Sequence, residues 1–117
     1  MIRAEITGGR TILAKIFYSP FVNGATRHDR QPKRVTTVEF YEEGTDDGGR
    51  TMIPLTVKTA ANHVTEQFSR AKGRTYAFKT GLRDLVAVPD FSLSNEDFTK
   101  IRKAFLAKCP TSVPYWK

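Results

Sequence analysis

Apolar and polar residues alternate from the start of the chain. Ile2, Ala4 and Ile6 interleave with Arg3, Glu5 and Thr7, the two-residue period of a strand with one buried face. Gly8 and Gly9 follow and predict a tight hairpin, because adjacent residues able to take positive φ suit such a turn. A second strand is predicted from about Arg10 to Tyr18. It has Ile12, Ala14, Ile16 and Tyr18 on one side and Leu13, Lys15 and Phe17 on the other, so it reads as a central strand covered on both faces and ended by Ser19-Pro20. Val35 to Tyr41 and Thr51 to Val57 read as two further strands, the last with Ile53, Leu55 and Val57 on one face. Pro54 cannot donate to a ladder, which places that strand at an edge. The acidic connector EEGTDDGG between the two lacks the alternating oxygen ligands of a calcium loop, so it reads as a solvated hairpin tip.

After Lys58 the period changes. The chain is expected to cross through TAANHV into a helix over about residues 65–86, with Thr65 or Ser69 as its cap. Ala71, Thr75, Phe78, Leu82 and Leu85, with Val86 beside them, recur at helical spacing and predict the buried stripe. Gly73, Ala77 and Gly81 form another row at spacing four. Glycine inside a helix costs about 1 kcal/mol relative to alanine, so this row predicts a close approach by another backbone or a ligand. The competing reading breaks the segment into two short helices near Gly73. A last helix over about residues 94–108 is better signposted: Ser94 and Asp97 have capping-box spacing, and Leu93 and Phe98 that of a hydrophobic staple. Phe98, Ile101, Phe105 and Cys109 make its stripe, and Pro110 stops it. Tyr115 and Trp116 in the tail, residues 110–117, are rings that dock on the chain's own core or on a neighbouring subunit, or stack on a base. These elements predict an α+β fold in one domain over residues 1–117, an antiparallel sheet of about four strands packed against two C-terminal helices.

Composition narrows the function classes. No apolar run approaches the roughly 20 residues needed to cross a bilayer, and no signal-peptide stretch opens the chain, so a soluble protein is expected; a single cysteine, unable to form an internal disulfide, fits a reducing cytoplasm. Cys109 is a single cysteine without a histidine nearby in sequence, which predicts a structural thiol. His28 and His63 stand apart, and neither a zinc motif, a phosphate-cradling glycine loop nor a nucleophile elbow is present. The sequence therefore predicts no metal, no cofactor and no catalysis.

The net charge of +7 points instead to phosphate-bearing partners. It is unevenly spread. Residues 35–57 hold Glu39, Glu42, Glu43, Asp46 and Asp47 against Arg50 alone, an acidic lobe between two basic stretches that suits a docking partner or a second copy. The basic loop of residues 19–34 contributes Arg27 and Arg30 as a candidate phosphate flap, next to His28, Lys33 and Arg34. On the first helix Lys72, Tyr76, Lys79 and Arg83 share a face offset from the buried stripe, and Arg70 and Arg74 add charge nearby. The candidate ligand site is thus Arg27, Arg30, Arg70, Lys72, Arg74, Tyr76, Lys79 and Arg83.

The spacing of Phe68, Gly73, Ala77 and Gly81 in FSRAKGRTYAFKTGL, just after a strand, resembles a pattern of small bacteriophage and prophage proteins. In those proteins an antiparallel sheet is followed by a helix with F-x4-G-x3-A-x3-A; Gly81 departs from the usual alanine. LSNEDFTKIRKAF, residues 93–105, is similar to the ending of their second helix. The resemblance covers the C-terminal half and carries over no functional residue. It implies a phage origin and a small accessory protein, a group that includes inhibitors of host defence. Combined with the basic, aromatic surface, it leads to the expectation of a non-enzymatic counter-defence protein, an oligomer that sequesters a phosphate-bearing nucleotide. Two alternatives use other partners: a nucleic acid tracked by the same residues, or a host defence protein docked on the acidic hairpin or the Pro54 edge.

Overall fold

The computed structural model describes residues 1–22, 33–46, 48–63, 70–87 and 93–116. Four strands come first: β1 (Ile2–Glu5), β2 (Thr11–Val22), β3 (Lys33–Asp46) and β4 (Gly49–His63). Helices α1 (Arg70–Ala87) and α2 (Asn95–Lys108) follow, and a short 3-10 segment, Pro110–Tyr115, closes the described chain. The sheet is an antiparallel meander in the order β1-β2-β3-β4, so the expected α+β architecture with two C-terminal helices is the one formed.

One face of the sheet carries Ile2, Ala4, Ile12, Ala14, Val38 and Phe40, and both helices lie on it. α1 covers β3 and β4, and α2 covers β1. Phe78 on α1 joins the layers. Its ring stacks on Phe105 of α2 at 4.1 Å between centroids and meets Phe40 of β3 at 5.0 Å, with Trp116 at 6.1 Å. Trp116 therefore docks on the chain's own core, while Tyr115 is exposed.

Several local expectations change. The β1–β2 link is a five-residue connection closed by Ile6 N–H donating to Arg10 O at 2.9 Å, with Gly8 and Gly9 both at positive φ in a 3-10 turn. β2 does not end at Ser19-Pro20 but runs to Val22, and its ladder to β3 shifts register between Ser19 and Val22. That interruption is where a residue without an N–H fits. The acidic connector does join β3 and β4 as a hairpin, but most of it is strand: residues 42–46 belong to β3 and β4 begins at Gly49. Nor does TAANHV cross out of the sheet, because β4 continues to His63. A bulge opposite Phe40 and Tyr41, which pair with Thr56 and Pro54, makes Leu55 the extra residue. It reverses the alternation of β4, so Ile53 shares the side of Glu42 and Ile12 while Val57 shares that of Glu39, and the three are not on one face. Pro54 sits at this bulge on an edge strand, as proline requires.

β2 is central, but among the described residues no element covers its second face, where Leu13 is buried and Phe17 is exposed. α1 is one continuous helix from Arg70. Its candidate caps Thr65 and Ser69, and residues 23–32 of the basic loop, lie outside the described residues. Thr75, Phe78, Leu82 and Leu85 are buried as expected; Ala71 is partly exposed and Val86 is 43% exposed, beyond the edge of the stripe.

Candidate functional site

α1 has two working faces because glycine lets it sit low on the sheet. Gly73, Ala77 and Gly81 are all buried against β3 and β4. A Cβ at 81 would stand 2.5 Å from Phe40 Cε2, and one at 73 would stand 2.9 Å from Thr36 Oγ1. The close approach expected from this row is therefore to side chains of the sheet, and not to a ligand. Together with the Thr75, Phe78, Leu82 and Leu85 stripe, it buries more than half of the helix circumference.

What remains outward is the row Lys72, Tyr76, Lys79 and Arg83, with Lys72 and Arg83 exposed, Lys79 half-buried and Tyr76 63% exposed. These four sequence-predicted residues are brought together. The other two described members are used elsewhere. Arg74 lies on the inner side, where its Nε donates to Ser112 Oγ at 2.8 Å and its Nη2 donates to Thr111 Oγ1, tying the C-terminal 3-10 segment to α1. Arg70 stands over the Tyr18 ring, 4.9 Å from its centroid, at the end of β2. Tyr18 was missed as a partner for this cation; its place in the Ile12, Ala14, Ile16 register, facing the helices, was the available signal. Arg27 and Arg30 lie outside the described residues.

Charge is concentrated on this layer. α1 and α2 together carry nine Lys and Arg against Asp84, Glu96 and Asp97. Asp84 is itself 2.6 Å from Lys58 Nζ, and Asp97 is buried. Two carboxylates of the acidic segment, by contrast, are paired with arginines of the sheet layer. Glu42 Oε1 receives both Nε and Nη2 of Arg10 at 2.6 Å. Glu43 has Arg3 Nη1 at 2.6 Å, near enough for an ion pair though not aligned as a hydrogen bond, and Arg50 Nε at 3.3 Å. Glu39 accepts the Tyr41 hydroxyl at 2.9 Å; that hydrogen bond, with burial and the carboxylate charge, raises the phenol above its ordinary value.

An open pocket of about 290 Å³ lies at the hairpin end of the sheet, lined by Met1, Arg3, Leu13, Glu43, Arg50, Thr51 and Met52. It contains none of the candidate residues. Among the described residues no three His, Cys, Asp or Glu side chains gather as metal ligands, and no helix is long and apolar enough to cross a membrane. No protein-family model, curated protein or solved structure matches the chain.

Proposed function

We propose that this is a non-enzymatic protein that captures a phosphate-bearing nucleotide ligand on the outward face of α1. The observation that carries the reading is the row Lys72, Tyr76, Lys79 and Arg83, which sets three cations around a ring 63% exposed on a helix fixed to the sheet beneath it. A tyrosine ring is amphipathic and carries a large apolar face. An exposed one between cations is suited to stacking on a base while the cations meet phosphate. In the setting that the phage resemblance implies, the protein acts in the host cytoplasm as an accessory protein that sequesters a nucleotide signal of host defence.

One feature favours a nucleic-acid strand as the form of that ligand. From Lys72 to Arg83 the row runs about 16 Å along the helix axis, at 1.5 Å per residue, and it is a convex face. A mononucleotide reaches neighbouring members of the row, whereas a strand reaches all of them. Docking of a host protein on the acidic segment has less support, since Glu42 and Glu43 are already paired with Arg10, Arg3 and Arg50.

The test is the triple variant Lys72→Glu, Lys79→Glu, Arg83→Glu, compared with wild type by fluorescence anisotropy on labelled single-stranded oligonucleotide and on labelled nucleotide, over a range of salt. Native mass spectrometry of the purified protein would give the mass of any carried ligand. Affinity should fall at least about a hundredfold with the circular dichroism unchanged. For a strand, log affinity should fall with log salt at about 0.7 per phosphate contacted. Binding that survives the reversal would refute the site.

A further inference from the structure

The sheet face turned away from the helices carries a pattern that ligand capture does not use. Strand register fixes its rows: Lys15, Glu39 and Val57 stand side by side on β2, β3 and β4. Met1, one residue ahead of the Ile2 and Ala14 pair, continues that row beyond Lys15. The row therefore reads apolar, cation, anion, apolar across the sheet, with Met1 59% and Val57 55% exposed at its ends. Phe17 and Met52 add exposed apolar surface to the same face.

We propose that this face seats a second copy of the chain, in a two-fold dimer that packs sheet against sheet. A half-turn about an axis along the seam between β2 and β3 keeps each row in place and exchanges its two sides. Lys15 then meets the partner's Glu39, Met1 meets the partner's Val57, and in the next row Leu13 meets the partner's Tyr41. A two-fold interface must be complementary to itself, and this row is. Packed sheets lie about 10 Å apart with strands within about 30° of each other, so alignment is best at the central rows, where the charge pair stands.

Two further observations specify the same occupant. Tyr41 links the pair: Lys15 Nζ lies 5.5 Å from the centre of its ring, and its hydroxyl donates to Glu39 at 2.9 Å, which orders both charges before association. The helical layer, with nine cations against three carboxylates, repels its own copy. On the outer face Arg3 and Arg50 share Glu43, Glu5 stands on the same side of β1, and Lys15 lies beside Glu39, three cations among three carboxylates, so two chains of charge +7 can approach here. The dimer would turn both basic α1 rows outward.

Sedimentation velocity of the full chain at moderate salt, across about 1–100 μM, tests this directly. Wild type should sediment as a dimer. Lys15→Glu and Glu39→Lys each place like charges across the axis and should each raise the dissociation constant at least about tenfold. An equimolar mixture of the two variants should recover dimer, because the acidic seam of one faces the basic seam of the other, a result that a purely internal pairing cannot produce. Should circular dichroism show either variant misfolded, Val57→Glu at the exposed end of the row should weaken the dimer instead. Wild type that stays monomeric, variants that dimerise as well as wild type, or a mixture of folded variants that stays monomeric would each overturn the proposal.

Discussion

α2 is held at its N-terminus by one shared carboxylate, whereas α1 is held along its length by two missing side chains. Asp97 of α2 is buried and completes a capping box, accepting from Ser94 N–H at 3.2 Å while Ser94 Oγ accepts from Asp97 N–H at 3.1 Å. The same carboxylate accepts from the backbone N–H and the hydroxyl of Thr7, each at 3.0 Å, in the turn between β1 and β2. A local cap thus doubles as a long-range tie. α1 is tied to β4 by the partly exposed Lys58–Asp84 ion pair at 2.6 Å, and Gly73 and Gly81 let its backbone settle onto Thr36 and Phe40. The first device fixes one end of a helix through directional bonds, and the second fixes its height. Height is what leaves the basic row of α1 on the surface.

The largest effect should come from breaking the polar tie. Asp97→Ala removes the cap and strands the Thr7 and Ser94 N–H groups, and should cost about 2–4 kcal/mol in chemical denaturation. The tie should also show in acid. Burial opposes ionisation of Asp97, but the hydrogen bonds from Thr7 and Ser94 outweigh it and hold the carboxyl below its ordinary 3.8. A carboxyl depressed in the folded state stabilises the fold above its unfolded value, and that contribution is lost as pH falls from about 4 through the lower folded value. Stability measured from pH 5 down to pH 2 should therefore fall less steeply in Asp97→Ala than in wild type, and equal slopes would contradict this account.

The glycine seat should break more gently. At position 81 an alanine Cβ would have to displace the Phe40 ring, which is fully packed between β3 and Phe78. Overpacking of this kind costs about 1–3 kcal/mol, against a helix-propensity gain of about 1, so Gly81→Ala should lose up to about 2 kcal/mol by thermal or chemical unfolding. Gly73→Ala meets only a hydroxyl and should lose less. If the two variants were equal in stability, the height of α1 would not be set at Phe40.

These two seats were not equally legible in the sequence. The capping box was readable because Ser94 and Asp97 are neighbours on one turn, and a spacing of three carries its own geometry. Its second function was not, since Thr7 lies ninety positions away. The row of Gly73, Ala77 and Gly81 announced a close approach but not to what, because only the register of β3 brings Thr36 and Phe40 beneath it. The same limit shortened the strands. Glu42, Glu43 and Gly44 have turn-like composition, yet they remain in β3 where Arg3 of β1 and Arg10 of the β1–β2 link pair with the carboxylates. In the candidate site, Lys72, Tyr76, Lys79 and Arg83 were legible as a helical row. Arg74 was not, because its partners Thr111 and Ser112 arrive only when the chain end folds back.

The smallest effect should have the opposite sign, and it comes from a buried hydroxyl in the α1 seat. Thr36 is fully buried beneath Gly73, and its hydroxyl has no hydrogen-bond partner among the described residues. A buried hydroxyl without a partner bears its desolvation cost with nothing to offset it. Thr36→Val keeps the branched shape and a strand-compatible side chain while removing that cost, so the protein should gain about 1 kcal/mol and a few degrees in Tm. The substitution lies on the inner side of α1, away from Tyr76, so ligand affinity at the outward row should not change. A loss of stability would mean that the hydroxyl is satisfied and that α1, like α2, is seated through a polar contact. A gain without a change in binding would confirm that the two helices are held by different physics, and that the seat of α1 can be tightened independently of the face it presents.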